Sequence, residues 1–380
     1  MDNSSTVAVV RTDRRRGGVA EALALIVHDL VGRIQDDRNP VIIPTLDNPA
    51  RADCCTHRDT LSATVDALLG AGASSITIAG RGGGRHVGHD DFTRLGFRQE
   101  LWNRPVRFVD IDDGGETYGT VRWISPRGLP RSLRLPSSVF ASRCRVVLGT
   151  ARTHDVFRVG LGLANLTSIV HRDDQGLLGL SRHAGELPPP WLDLANGMIR
   201  SWRGAVRSAW LGMRTIAGGM RLTGPERRRL EAVERATSCL VALAAFALPR
   251  ISLIDAFHAS EGEGPRHGRR VPLRTIIAGT DAVAVDAVAA AVLGFEPVEI
   301  AYLRLAQATG LGKADLSAIT IVGDPIARPR RLRRHSADRL LRLAGAGSAH
   351  PALPHPHFGP SVVNRPTPSA TARQSDAHRL

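Results

Sequence analysis

Lysine is nearly absent: Lys313 stands alone among 50 basic side chains, so a formal net charge of +14 is carried almost wholly by arginine. Arginine-favouring codon composition produces this pattern, and the arginines are spread along the chain rather than gathered on one segment. A nucleic-acid site built from clustered phosphate contacts therefore ranks below the other readings. The densest run, Arg328-Pro-Arg-Arg-Leu-Arg-Arg334, follows the last strand-like segment and reads as a solvated tail. Aromatic residues make up only 4% of the chain, so the core is expected to be aliphatic. Four cysteines, the vicinal Cys54 and Cys55 with isolated Cys144 and Cys239, offer neither a disulfide framework nor Cys-x-x-Cys ligand spacing. A reduced, cytoplasmic setting without an intrinsic iron–sulfur cluster is expected. Long apolar runs are missing too. The longest, Cys239 to Leu248, stops at Pro249 and falls well short of the roughly 20 residues that cross a bilayer, so no membrane span is expected. Arg14-Arg15-Arg16 precedes Val19 to Ile34, but Glu21, His28 and Asp29 interrupt any signal-like region.

What is present alternates. Val7 to Val10 reads as a strand, followed by Gly17-Gly18 and a helix carrying Val19, Leu23, Ile26, Leu30 and Ile34. Val41 to Ile43 is the next strand; Asp59 caps a helix with Leu61, Val65, Leu68 and Leu69, stopped by Gly70-Ala-Gly72. Ile76 to Ile78, a short helix around Phe92, and Val106 to Asp110 continue the pattern. Arg131 to Leu135 alternates like an edge strand and Arg145 to Leu148 looks buried. Residues 195–248 read as a helical insertion, with a capping box at Thr223-Gly-Pro-Glu226. Strands at Ile251 to Ile254, Thr275 to Ala278 and Ile319 to Val322 alternate with helices at Asp281 to Leu293 and Pro297 to Ala308. The expected fold is α/β, a mainly parallel sheet with helices on both faces. Residues 1–324 form one core and 325–380 a largely disordered tail rich in Arg, Pro and Ala, with a short helix around Ser336 to Leu343.

Three segments, in order, resemble the family called domain of unknown function 362. Ile251-Ser-Leu-Ile-Asp255-Ala-Phe-His-Ala-Ser-Glu261-Gly262-Glu-Gly264-Pro265 is similar to its strand, Asp and Glu-Gly-x-Gly-Pro signature. Asp281-Ala-Val-Ala-Val-Asp286-Ala resembles its Asp-presenting helix. Arg152-Thr153-His154, Leu163-Ala-Asn165 and His183 resemble its Lys-Thr-His, Leu-Lys-Asn and later His segments. The chain departs from that pattern at Ile43-Pro-Thr45, where the family tends to carry Lys-Pro-Asn, and at Ala164, where it carries Lys. Many relatives hold ferredoxin-like cysteine clusters that this chain lacks, which leaves room for a separate redox partner.

The chemistry suggested by these residues is acid–base and electrostatic. Glu261, Gly262 and Gly264 are expected on a turn just past a strand end, with Asp255 at that end, where parallel sheets collect ligand-binding residues. Asp286 is costly to bury unless paired, so it either meets a partner such as Arg152 or a helix N-terminus, or holds the fold by accepting backbone amides. Asp286, Glu261 and His154 are the candidate catalytic groups. His154 can act as acid or base near neutrality, or simply hydrogen-bond its own loop. Arg152, Thr153, Asn165, His183, Asp255, Gly262 and Gly264 are candidate substrate contacts, although polar loop residues such as Asn165 also cap their own backbone. The loop Gly80-Arg81-Gly82-Gly83-Gly84-Arg85 can cradle an anion on its amides or serve as a plain turn; it matches no Walker or dinucleotide spacing. His86-x-x-His89-Asp90-Asp91 is a weak metal pattern in a loop. Asp47-Asn-Pro-Ala-Arg51 is faintly similar to a turn of nickel-pincer lactate racemases, a pattern short enough to arise by chance.

Two function classes lead from here. An enzyme acting on a small anionic or carbonyl metabolite at a strand-end cleft ranks first, and a ligand- or partner-binding member that has lost catalytic lysines ranks second. An arginine-driven nucleic-acid binder is third. Cofactor identity stays open.

Overall fold

A computed structural model describes residues 5–47, 54–81, 90–112, 115–124, 130–178, 224–264, 267–326, 331–339 and 341–342. Its main sheet is formed by β1 (Ser5–Arg11), β2 (Val41–Pro44), β3 (Ile76–Gly80), β4 (Val106–Asp110), β7 (Arg145–His154), β8 (Arg158–Gly160), β9 (Ile251–Glu263), β10 (His267–Gly279) and β11 (Ile319–Gly323). The order is β11-β1-β10-β9-β7-β2-β3-β4, with β8 paired to β7. β4, β3, β2, β7 and β9 run parallel, β10 is antiparallel to both its neighbours, and β11 is parallel to β1. The fold is α/β around a mostly parallel, mixed sheet of nine strands.

Helices cover both faces. On the first lie α1 (Arg15–Leu25), α2 (Val27–Asp36), α3 (Arg58–Gly70), α4 (Asp91–Arg94) and α5 (Phe97–Glu100), whose Leu23, Leu30, Leu61, Leu68, Phe92 and Phe97 meet Ile42, Ile78, Val146 and Leu253. On the second lie α6 (Ser137–Ala141), α7 (Gly162–Asn165), α8 (Gly224–Ala247), α9 (Ala282–Val292) and α10 (Ala301–Ala308), which pack Leu163, Leu240, Val285 and Leu303 on Ile43, Ile254 and Ile277. β2 is buried along its whole length, as a strand covered on both faces must be. Among the described residues no helix is long and apolar enough to cross a membrane.

Several local expectations change. The stripe from Val19 to Ile34 is one apolar face on two helices, because Ile26 N bonds Leu23 O at 3.3 Å, a three-residue turn that ends α1 before Leu30 N restarts the ladder on Ile26 O. His57, not Asp59, caps α3: its ring accepts from Asp59 N at 3.2 Å. Arg131 to Leu135 belongs to β6 (Pro130–Pro136), which pairs with β5 (Tyr118–Ile124) in a separate two-stranded hairpin. β7 runs six residues beyond the apolar Arg145 to Leu148 segment. Of the expected helical insertion, α8 is described, and residues 195–223 lie outside the described residues.

The largest change concerns the Glu-Gly-Glu-Gly stretch. β9 and β10, each of 13 residues, form a long hairpin in which Glu261 opposes Arg269 and Glu263 opposes His267. Glu261 and Gly262 therefore sit inside β9, near the hairpin tip, and Asp255 sits mid-strand rather than at its end. The described part of the arginine run packs against this tip. Arg333 N donates to Glu261 Oε2 and Gly262 N donates to Arg333 O, both at 2.9 Å, while Leu332 and Leu341 are buried.

The sheet order fixes where a ligand can bind. From β2 the chain moves through α3 to β3 and β4 over the first face, then returns to β7 on the other side of β2 and on to β9. The winding direction reverses between β2 and β7, and crevices form outside the carboxyl ends of such strand pairs.

Candidate functional site

Asp47, three residues past β2, and Arg152, near the end of β7, meet at this reversal. Arg152 Nη2 lies 2.5 Å from Asp47 Oδ2 and Nη1 donates to Thr150 Oγ1 at 3.1 Å. The guanidinium is buried, and its Nε finds no hydrogen-bond partner among the described residues. Leaving a buried charged donor unpaired is costly, which sets this atom apart from the satisfied donors around it. Gly160 on β8 stands opposite Arg152. A Cβ there would fall 2.7 Å from Arg152 Nε and 3.3 Å from His154 Cδ2. Glycine at 160 thus lets the Arg152 and His154 side chains pack directly against the backbone of β8.

His154 is buried, and its Nδ1 accepts from Val156 N at 3.1 Å and Phe157 N at 3.4 Å, which assigns the ring proton to Nε2. Burial, reinforced by the Arg152 charge, pulls its pKa down to about 4, against Asp155 and Asp47. The imidazole is neutral at physiological pH. Because the folded pKa lies below the ordinary 6.5, the unfolded chain takes up a proton that the folded one refuses between these values, so stability falls as pH drops from 6.5 toward 4. His154→Asn, which keeps an acceptor for the two amides, is expected to remove about 3 kcal/mol of that acid sensitivity, read from urea unfolding at pH 7.5 and pH 4. Equal pH slopes in variant and parent would show that the ring is not held neutral.

The polar stripe continues onto β9. Thr150 opposes Asp255 in the β7–β9 register. Asp255 Oδ2 accepts from Thr60 Oγ1 at 2.6 Å and faces Arg15 Nε at 3.1 Å, while Oδ1 accepts from Phe257 N at 3.0 Å. Arg15 opens α1 and Thr60 sits in the first turn of α3, so two helix starts converge on one strand carboxylate.

Residues 41–291 match the family model described as domain of unknown function, DUF362. The chain belongs to the DUF362 family. No curated protein matches it. Among solved structures it is similar to the lactate racemase apoprotein from Thermoanaerobacterium thermosaccharolyticum, at TM-score 0.43 and 13% identity over 74% of this chain and 56% of that one. A protein from Thermotoga maritima aligns at TM-score 0.42 and 11% identity over 78% and 60%. The chain therefore spans under two thirds of either neighbour.

The DUF362 segments do not all meet. Arg152, His154 and Asp255 share the stripe that runs from the end of β7 to the middle of β9. Asp286 lies on the opposite face in α9, with no exposure: Oδ1 accepts from Gly162 N at 2.9 Å, and Oδ2 accepts from Leu163 N at 3.1 Å and Tyr302 Oη at 3.0 Å. Burial pushes its pKa up to about 7 while the three donors oppose the rise. Its partner is the start of α7, not Arg152, and all three of these hydrogen bonds serve to hold the start of α7 and Tyr302 in place. Asn165, also in α7, donates from Nδ2 to Ile43 O at 3.1 Å and has a buried Oδ1 without a partner among the described residues. Glu261 is held by Arg269 and Arg333 N, so its carboxylate ties the hairpin tip to residues 331–339. Thr153 Oγ1 donates to Gly262 O at 2.9 Å, and a Cβ on Gly264 would fall 2.1 Å from Thr153 O; these three residues seal β7 to the tip. Arg81 pairs with Asp112 at 3.2 Å and donates to Val170 O. His183, Gly82, Gly83, Gly84 and Arg85 lie outside the described residues.

Sequence reasoning passed over Arg15, Thr60, Thr150 and Gly160. Arg15 carries one legible signal, an arginine at the start of a helix that follows the first parallel strand. The others are ordinary residues made important by long-range pairing. The four cysteines are buried and form no disulfide, and among the described residues no group of three His, Cys, Asp or Glu side chains is placed to hold a metal ion.

Proposed function

We propose that this DUF362 member is an enzyme acting on a small anionic or carbonyl-bearing metabolite bound where β2 and β7 end beside the middle of β9. The observation that supports this reading is the buried Arg152 guanidinium at the sheet's reversal point, with an Nε unpaired among the described residues and the neutral His154 packed beside it against Gly160. Arg152 presents a fixed positive charge to a carboxylate or carbonyl oxygen. His154, neutral and protonated on Nε2, adds a hydrogen-bond donor without a charge of its own. Preorganised donors of this kind stabilise negative charge that develops on oxygen during a reaction, which is the minimum chemistry the crevice supplies.

A second reading, ligand binding without turnover, draws on Thr45. Its Oγ1 donates to Leu148 O at 2.9 Å and the residue is fully buried, so the position where relatives tend to carry a longer polar side chain adds nothing to the crevice. One experiment addresses both. Thermal unfolding is followed against a panel of small carboxylates, 2-oxo acids and 2-hydroxy acids, each compound also being assayed for conversion. A ligand present at about 100 times its Kd stabilises by about 2.7 kcal/mol. The expectation is a compound that stabilises and is converted by the parent protein, with both effects lost in Arg152→Gln. Stabilisation without conversion selects the binding reading, and stabilisation that persists in Arg152→Gln rejects the crevice altogether.

A further inference from the structure

Beside the crevice, two guanidinium groups compete for one nitrogen. Arg15 Nη2 lies 3.1 Å and Arg270 Nη2 2.8 Å from His258 Nδ1, and a neutral imidazole has a single lone pair to offer. Arg15 is partly balanced by Asp255, but Arg270, exposed on β10, has no carboxylate partner among the described residues. Two like charges gathered on a neutral ring repel each other unless an anion sits between them. The surroundings add positive potential. α1 has no acidic residue in its first turn and no side-chain cap at Arg14, and its 11 residues give the N-terminal amides a helix dipole. His57, which starts α3, borders the same cluster; the other charges facing it are Arg15, Arg58, Asp59 and Asp255.

We propose that Arg15, Arg270, His258 and His57 form an anion subsite for the phosphate of a phosphomonoester, so that the metabolite held at Arg152 carries a dianionic group at its far end. This deepens the function proposed above and rests on it. Continuity between the two subsites runs through Thr150, which touches Arg152 and opposes Asp255, which in turn faces Arg15. Arg152 on β7 and Arg270 on β10 are two strand spacings apart, roughly 10 Å, a span that suits a phosphate ester of a short carbon acid. A dianion fits better than a second carboxylate because two guanidinium forks and a set of helix amides offer more donors than one carboxylate can accept.

The test uses the full chain and isothermal titration with inorganic phosphate, glycerol phosphate and acetate, on the parent protein, Arg270→Gln and Arg152→Gln. Arg270 is exposed, so its variant is expected to fold as the parent does; an unchanged unfolding midpoint checks this. Arg270→Gln should weaken phosphate and glycerol phosphate at least tenfold, about 1.4 kcal/mol, and leave acetate unchanged. Arg152→Gln should do the reverse. No phosphate binding by the parent protein, or binding that Arg270→Gln leaves intact, overturns the subsite. Acetate binding that Arg152→Gln leaves intact overturns the crevice instead, so the two failures are told apart. A single-stranded oligonucleotide is the remaining arm: affinity well above that for phosphate, falling steeply with salt, would assign the arginines to a polyanion and overturn the phosphomonoester.

Discussion

Asp286→Ala is expected to destabilise the fold by about 3–5 kcal/mol, since removing one buried carboxylate strands three donors at once. Those donors are Gly162 N, Leu163 N and Tyr302 Oη, and no solvent reaches the carboxylate they share. Glycine at 162 belongs to the same arrangement, because a Cβ there would fall 3.0 Å from Asp286 Oδ1 and 2.7 Å from Ser252 Oγ. The carboxylate therefore fixes where α7 begins, and α7 in turn packs against β7 behind the crevice. Asp286→Asn keeps the shape but turns an NH2 group toward an N–H, so it should still lose on the order of 2 kcal/mol. Urea unfolding measures both, and the larger loss corresponds to a fall in Tm of roughly 10 °C. Ligand affinity in the folded Asn variant should equal the parent's. An Asn variant of parental stability that has lost turnover would put Asp286 back among the catalytic groups.

Asp286 also shows how much the sequence discloses and where it stops. A carboxylate inside a run of Val and Ala, on a helix this apolar, had to be buried and had to be paired. Which partner it meets depends on a packing 123 residues distant in the chain, and the helix start at Gly162 was one of two options. The same division runs through the fold. β2 and β3 are legible because strands buried between two layers of helices are largely apolar runs. The outer half of β10 is not, because Arg269, Arg270 and Arg274 face solvent while only Gly268 and Val271 of its early residues are buried, leaving no run and only a broken alternation. Reading Glu261 as a turn residue followed from that miss. At the site, Arg152, His154 and Asp255 were reached through resemblance to relatives. Arg15 and Thr60 were not, because each bears on Asp255 only through the way α1 and α3 lie side by side over the strand ends.

Gly160→Ala is the smallest change expected to disable the crevice, lowering ligand affinity at least tenfold, about 1.4 kcal/mol, while the chain remains folded. Gly160 is not among the glycines at positive φ, so backbone freedom does not explain it and alanine can adopt its conformation. Close approach does. The added methyl would lie 2.7 Å from Arg152 Nε and 3.0 Å from its Cγ, distances at which the arginine must shift. That shift breaks either the contact to Asp47 or the bond to Thr150, and overpacking of this size costs about 1–3 kcal/mol of stability. Arg152→Lys separates the two parts of the effect. It restores room above Gly160 and keeps the charge, but a single ammonium cannot reproduce a planar fork held on two sides with a third donor free. Affinity should therefore fall in Arg152→Lys as well, with less loss of stability than in Gly160→Ala. If Gly160→Ala loses stability yet binds ligand as the parent does, the contact between Arg152 and Gly160 is packing alone, and the anion must be sought farther along the stripe toward Asp255 and Arg15.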